Sequence, residues 1–273
     1  MKIVMIATLL SCLGLMATAQ SRYLKKVDKF MLLGDSVKAV NHLNKMIGKH
    51  ASTADLYLRR AQIKMDRGDL NPAMVDLNTF CSLNQTCGEA TYLKGIIRYR
   101  QSDYHGAVEF FSDYSRKHEH LNAWMYLGLT HLKLKNYQIA ENAFTKAIAI
   151  DSENYLALYN AGLASYSYSE YDKASEYFTL ATKRIPGDID SWLGLGLAQS
   201  ALGDFSESNK SLRQALGIQP ENGSVLYNIG VNYHGLGDSD QACSYWKRAK
   251  LTLNHPAEVA IEQYCSETAD KGH

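Results

Sequence analysis

Of 273 residues, 46% are hydrophobic and 21% charged, and 29 Lys+Arg against 28 Asp+Glu leave a formal net charge of +1. Ordinary apolar content and near-neutral charge exclude a disordered or collagenous chain and argue against a strongly basic nucleic-acid binder. Five cysteines are too few for a disulfide-scaffold miniprotein of this length.

The first element in chain order is an address. Lys2 precedes a largely apolar run from Ile3 to Met16, and Ala17-Thr18-Ala19 sets small residues where a signal peptidase reads. Residues 1–19 are expected to be a signal peptide cleaved after Ala19, leaving an exported chain, periplasmic or secreted. The run is short for a bilayer span. Two other readings stay open. Arg22, Lys25 and Lys26 directly behind the run favour a retained anchor, and Leu9-Leu10-Ser11-Cys12 loosely matches an acylation box. Acylation at Cys12 would leave an apolar segment behind the cysteine, which fits poorly. No later segment is long and apolar enough to span a membrane.

Beyond residue 19, apolar residues recur three and four apart and strand-like alternation is scarce, so helices are expected throughout. Polar dipeptides recur at Gly34-Asp35, Gly68-Asp69, Ser102-Asp103, Lys135-Asn136, Ser169-Glu170, Gly203-Asp204 and Gly237-Asp238, at spacings of 33 or 34. Glycine ends a helix in the left-handed conformation and Asp or Asn caps the next one, so each dipeptide reads as a hairpin bend. A small residue opens each second helix (Ala39, Ala73, Ala107, Ala140, Ala174, Ser208, Ala242), and four residues later stands a bulky one (Leu43, Leu77, Phe111, Phe144, Phe178, Leu212, Trp246). First helices carry Ala61, Gly95, Gly128, Gly162, Gly196 and Gly230 in register. Glycine inside a helix costs about 1 kcal/mol relative to alanine, so close helix packing is the expected compensation.

This pattern resembles the tetratricopeptide repeat (TPR) family over about residues 20–256, best at Trp124, Leu127, Gly128, Ala140, Phe144, Ala147 and Asp151, with the closing Pro186 and Pro220. The resemblance implies an all-α fold, a right-handed superhelical solenoid of seven helix-turn-helix hairpins at 20–53, 54–87, 88–120, 121–154, 155–188, 189–222 and 223–256. The first three depart from it. Lys26, Arg60 and Lys94 occupy a usual Leu position, and Met46, Phe80 and Tyr114 a usual Ala position, so their packing should be looser or differently angled. Arg60 either pairs with Asp76 across its hairpin or reaches solvent. Residues 257–268 are amphipathic and read as a capping helix over the exposed last hairpin, with Pro256 near its start and 269–273 a disordered tail.

Four cysteines follow the leader. Cys243 and Cys265 are expected to bridge the last hairpin to the cap, and Cys81 and Cys87 to bridge across a helix end; the alternative is four buried thiols. Motifs for phosphate loops, zinc proteases, Cys-x-x-Cys sites and serine elbows are missing from the sequence, so no catalytic residue, cofactor or metal is assigned. His118-Glu119-His120 is the one imidazole cluster, and solvated histidines are a commoner outcome than a metal site.

If the family's geometry holds, first helices line a concave groove carrying Tyr92, Ile96, Tyr99, Met125, Leu129, Leu132, Tyr159, Leu163, Tyr166, Leu197, Tyr227 and Val231. Leu129, Leu163, Leu197 and Val231 form an aliphatic series where polar residues often stand. They either close gaps between adjacent first helices or grip a partner. Asn160 and Asn228 occupy one position of the carboxylate clamp that holds chaperone C-termini, but its Lys and Arg are missing beside them. Residues 20–87 hold 11 Lys+Arg against 6 Asp+Glu, and 121–273 hold 12 against 17. Such asymmetry is either two solvated surfaces or steering toward an acidic partner or a second copy. The expected function is non-catalytic protein–protein scaffolding in the bacterial envelope, with a peptide or helix of unknown identity in the groove. The alternatives are an assembly subunit held by its edges and an undetected catalytic or carbohydrate-binding activity.

Overall fold

The computed structural model describes residues 24–252 and 255–265. The leader, residues 20–23, positions 266–268 of the expected cap and the 269–273 tail lie outside the described residues. The described chain is helical throughout. It divides into two compact units, Met1–Asp103 and Tyr104–His273. The division falls inside the third expected hairpin, between the positions of Lys94 and Tyr114, where the sequence departs from the repeat pattern.

Unit 1 contains α1 (Leu24–Leu32), α2 (Ser36–Lys49), α3 (Ala54–Asp66), α4 (Leu70–Leu83) and α5 (Gly88–Arg100). Its core gathers Val27, Ala39, Leu43, Leu56 and Ile63, with Phe30, Val40 and Ile47 against it. The Arg60 guanidinium donates to both oxygens of Asp76 at 2.6 and 2.8 Å and to Asn44 Oδ1 at 2.7 Å. Lys64 Nζ reaches the same carboxylate at 2.7 Å. Two cations of α3 thus hold one carboxylate of α4 that is 1% exposed, and Asn44 of α2 accepts from the outer side of the guanidinium. Lys94 Nζ lies 3.6 Å from Cys81 Sγ, and burial holds its amine below the usual lysine range. The Cys81 and Cys87 sulfurs stand within bonding distance, their Cα atoms 5.3 Å apart.

Unit 2 contains α6 (Tyr104–Lys117), α7 (Leu121–Lys133), α8 (Tyr137–Ile150), α9 (Tyr155–Ser167), α10 (Tyr171–Arg184), α11 (Ile189–Ala201), α12 (Phe205–Ile218), α13 (Gly223–Gly235), α14 (Ser239–Lys250) and α15 (His255–Tyr264). Each helix packs on the next, and first helices also touch across hairpins: α7 with α9, α9 with α11, α11 with α13. The small-and-bulky pairing explains the closeness. A Cβ added at Gly128 would fall 2.6 Å from the Phe144 ring, at Gly162 2.9 Å from Phe178, and at Gly196 2.6 Å from Leu212. Gly230 lies against Trp246 in the same way. α15 begins one residue before Pro256 and lays Ala257 and Ala260 on Leu226, Cys243 and Trp246, so it covers the apolar end of α13 and α14. The Cys243 and Cys265 sulfurs stand within bonding distance, with Cα atoms 5.7 Å apart.

All seven bends share one geometry. Gly34, Gly68, Ser102, Lys135, Ser169, Gly203 and Gly237 have φ between 59° and 85°. The following residue donates its N–H five positions back, as Asp35 N to Phe30 O at 2.9 Å and Asn136 N to His131 O at 2.9 Å. These are Schellman closures, and three of them use a residue that strains there. Replacing Ser102, Lys135 and Ser169 together with Gly is expected to stabilise the protein by about 2 kcal/mol, the strain relieved less the added unfolded-state entropy. Urea midpoints of the triple variant and wild type check this; a lower midpoint would contradict the strain.

Capping differs from the sequence expectation. Of the second residues in these dipeptides, Asp35 and Asp238 accept from the amides of Lys38 and Gln241, whereas Asp69, Asn136, Glu170 and Asp204 make no side-chain cap bond. Side-chain caps also open the first helices of unit 2, while Thr53 and Cys87 before α3 and α5 make none. His120, Asn154, Asp188 and Asn222 accept from the amides of Ala123, Ala157, Ser191 and Val225. The imidazole cluster is therefore structural. His120 Nδ1 accepts from Ala123 N at 3.2 Å, and His118 stacks on Tyr114 with ring centroids 4.3 Å apart. Burial, and then the charge of His118, holds His120 below its usual 6.5, which keeps Nδ1 free to accept.

Candidate interaction surface on the first helices

The residues of the expected groove fall on five first helices. Tyr92, Ile96 and Tyr99 lie on α5 and belong to unit 1, so the candidate surface of unit 2 consists of α7, α9, α11 and α13 alone. Two expected members are core residues. Ile96 is 8% exposed and Met125 4%, the latter packed with Ala140, Phe144, Ala157 and Ala161, so neither presents a side chain to a partner.

The other residues are half-buried. Leu129 and Leu132 pack against the Met125–Phe144–Ala161 cluster. Tyr159, Leu163 and Tyr166 pack on Ala174, Phe178, Leu195 and Ala198. Tyr227 and Val231 pack on Leu226 and Trp246. Leu197 is half-buried on α11. Leu129, Leu163 and Val231 therefore close seams between neighbouring helices, and part of each side chain of the series, Leu197 included, stays in water. Sequence periodicity locates these positions but does not say how much of each the next helix covers.

The polar groups beside them are largely engaged within the fold. Asn160 Nδ2 donates to Leu156 O at 2.6 Å and Asn228 Nδ2 to Ser224 O at 2.8 Å, each within its own helix. Neither amide is set up to share a clamp. Tyr155 and Tyr159 stack with centroids 6.1 Å apart. Burial, followed by the charges of Asp190 and Asp188, pushes the Tyr159 phenol up to about 12. This part of the surface is consequently aromatic, neutral at phenol and acidic at its border. Among the described residues no group of three or more His, Cys, Asp or Glu is placed to hold a metal ion, and no helix is long and apolar enough to cross a membrane.

Hairpins of 13- and 14-residue helices, bent at left-handed residues about 34 apart and packed by glycine against a ring, define a helical-repeat scaffold. The chain is a tetratricopeptide repeat protein. Family models described as Tetratricopeptide repeat match residues 121–154, 189–222 and 224–250. The structure resembles the C-terminal part of a TPR repeat-containing protein from Cytophaga hutchinsonii, with TM-score 0.73 and 18% identity, covering 87% of this chain and 98% of that one. It also resembles YrrB, a TPR protein with an unusual peptide-binding site, with TM-score 0.62 and 20% identity over 67% of this chain and 95% of YrrB. In sequence it is 26% identical over 153 residues to the human cell division cycle protein 16 homolog, covering 52% of this chain and 25% of that protein. The chain spans about a quarter or less of the curated relatives of human, mouse and Caenorhabditis elegans that it matches. Proteins of this family generally mediate protein–protein interactions and are generally non-catalytic.

Proposed function

We propose that this chain is a non-catalytic scaffold of the bacterial envelope that holds an extended peptide or a partner helix against the first helices of unit 2. One observation carries the reading: Leu129, Leu163, Leu197 and Val231 hold the same register position in four consecutive hairpins and all remain partly in water. A packing role alone would be met by fully buried residues, as at Ala157, Ala161 and Ala198. An apolar ribbon crossing several helices fits a partner whose own apolar residues recur along its length. The peptide-binding site of YrrB supports the reading by analogy of fold.

The test is affinity capture from envelope extracts with wild type and with Leu129→Asn/Leu163→Asn, followed by mass spectrometry. Loss of the captured protein by a variant that keeps its helical content and melts cooperatively is the expected result. Retention of every partner would move the binding surface to the edges of the array. Export rests on the leader, and oxidation of both cysteine pairs rests on their proximity. The native mass is expected to start at Gln20 and to fall short of the reduced chain by the hydrogens of both thiol pairs. An intact Met1 start with all five cysteines as free thiols would remove export and both bridges.

A further inference from the structure

A repeat array supplies its own controls, because each position has six counterparts in the other hairpins. Leu32, the last residue of α1, is 88% exposed. Its counterparts are Asp66, Arg100, Lys133, Ser167, Ala201 and Gly235, each charged, polar or small. Val37, on the first turn of α2, is 54% exposed, and its counterparts Asn71, His105, Gln138, Asp172, Ser206 and Asp240 are all polar. Leu33, between them, is 72% exposed, well above the 46%, 38% and 49% of its apolar counterparts Tyr168, Leu202 and Leu236, and the fourth, Leu134, is half-buried. One bend of seven therefore carries three aliphatic side chains in water, two of them at positions that the other bends keep free of large apolar residues.

The charges around this bend are equally one-sided. Residues 24–49 contain six lysines, Lys25, Lys26, Lys29, Lys38, Lys45 and Lys49, all exposed, against Asp28 and Asp35. Both acids are engaged, Asp28 by Arg59 at 2.8 Å and Asp35 by Lys38 at 2.7 Å. Helical spacing puts Lys25, Lys29 and Leu32/Leu33 on one stripe of α1, and Val37 and Lys45 on one stripe of α2. His42 on α2 registers the field: burial, then the charges of Lys26 and Lys45, holds it below its usual 6.5.

We propose that the tip of the first hairpin is a docking wedge for an anionic bilayer surface. Leu32, Leu33 and Val37 enter the boundary between headgroups and acyl chains, while Lys25 and Lys29 keep their ammonium groups among acidic headgroups. Lysine suits this role because its aliphatic stem lies along apolar surface while its charge stays in water. Charge complementarity selects the occupant, since an anionic surface attracts a cluster of this net sign. Size agrees. Three side chains on a bend are far from the roughly 800 Å² per partner of a stable protein interface, whereas shallow insertion needs only an apolar tip and basic flanks. This surface belongs to unit 1 and does not use the residues of the proposed partner face.

Co-sedimentation of the full chain with vesicles tests it, using phosphatidylcholine alone and phosphatidylcholine mixed with phosphatidylglycerol, at low and physiological salt. Binding is expected for the mixed vesicles, weakening with salt, and absent for the neutral ones. Lys25→Gln/Lys29→Gln is expected to lower partitioning about thirtyfold. Leu32→Ser/Leu33→Ser is expected to lower it about tenfold or more. The exposure of both leucines makes the second variant safe for folding, and circular dichroism checks that. Equal binding to neutral vesicles, or binding that survives both variants, would place membrane affinity elsewhere in the chain and overturn the proposal. Failure to bind any vesicle overturns it too, as does self-association in sedimentation velocity that Leu32→Ser/Leu33→Ser abolishes, which would assign the tip to a second copy.

Discussion

Phe178→Ala is expected to destabilise the second unit by about 3–5 kcal/mol, the range for emptying a large aromatic site in a core. The ring is 1% exposed and serves two first helices together. An added Cβ at Gly162 of α9 would lie 2.9 Å from it, and one at Gly194 of α11 2.7 Å from it. Tyr159 meets its edge at 5.9 Å between centroids. The two glycines have no side chain with which to fill the space, so the cavity stays open. Because neighbours in a repeat array stabilise one another pairwise, the loss is expected to separate one urea transition into two, hairpin 155–188 loosening first. Tryptophan fluorescence follows it through Trp192, which packs on this cluster. A loss under about 1 kcal/mol, ordinary for a surface change, would mean the ring does not bridge the helices.

Asp76→Ala is expected to cost about 3 kcal/mol, at the lower end of the range for breaking a buried pair. It leaves Arg60 and Lys64 without their anion, and their side chains are only 16% and 17% exposed, so water relieves each cation incompletely. Replacing all three together, as Arg60→Met/Lys64→Leu/Asp76→Leu, is expected to recover most of that loss, since matched apolar groups need no counter-charge. Denaturant titration of the single and triple variants separates these outcomes. A triple variant as unstable as the single one would show that the cluster contributes more than mutual neutralisation.

The bends were legible because a left-handed residue and a Schellman closure need a small or polar residue at fixed spacing, and Gly34 through Gly237 advertise it. Glycine facing a bulky residue was legible for the same reason: Gly128 with Phe144 and Gly196 with Leu212 are sequence signs of backbone contact. Arg60 was readable as far as two options, and the structure chooses Asp76 while adding Lys64 and Asn44. The caps at Asn154, Asp188 and Asn222 have a sequence signal, ordinary capping residues 34 apart before three successive first helices. His120 in the same place carried none, since imidazole is an unusual cap and its competence rests on burial. The candidate surface was only partly legible. Periodicity gave the face that Leu129 and Leu163 occupy, but Met125 went wrong because its burial is decided by the helix opposite.

Asn232 carries a consequence for modularity. It is fully buried on α13, accepts from Ser200 Oγ at 2.7 Å, and donates to Ser208 Oγ at 2.7 Å and Asn209 Oδ1 at 2.9 Å. One hairpin earlier the same four places hold Ala198, Tyr166, Ala174 and Ser175. Excising hairpin 189–222 to shorten the array would therefore set the Asn232 amide against Tyr166, Ala174 and Ser175, with the Ser208 partner lost outright. Equal length makes the hairpins look like interchangeable cassettes; this amide makes the last two heritable only as a pair, and any duplication or shuffling of the chain has to cut on either side of them.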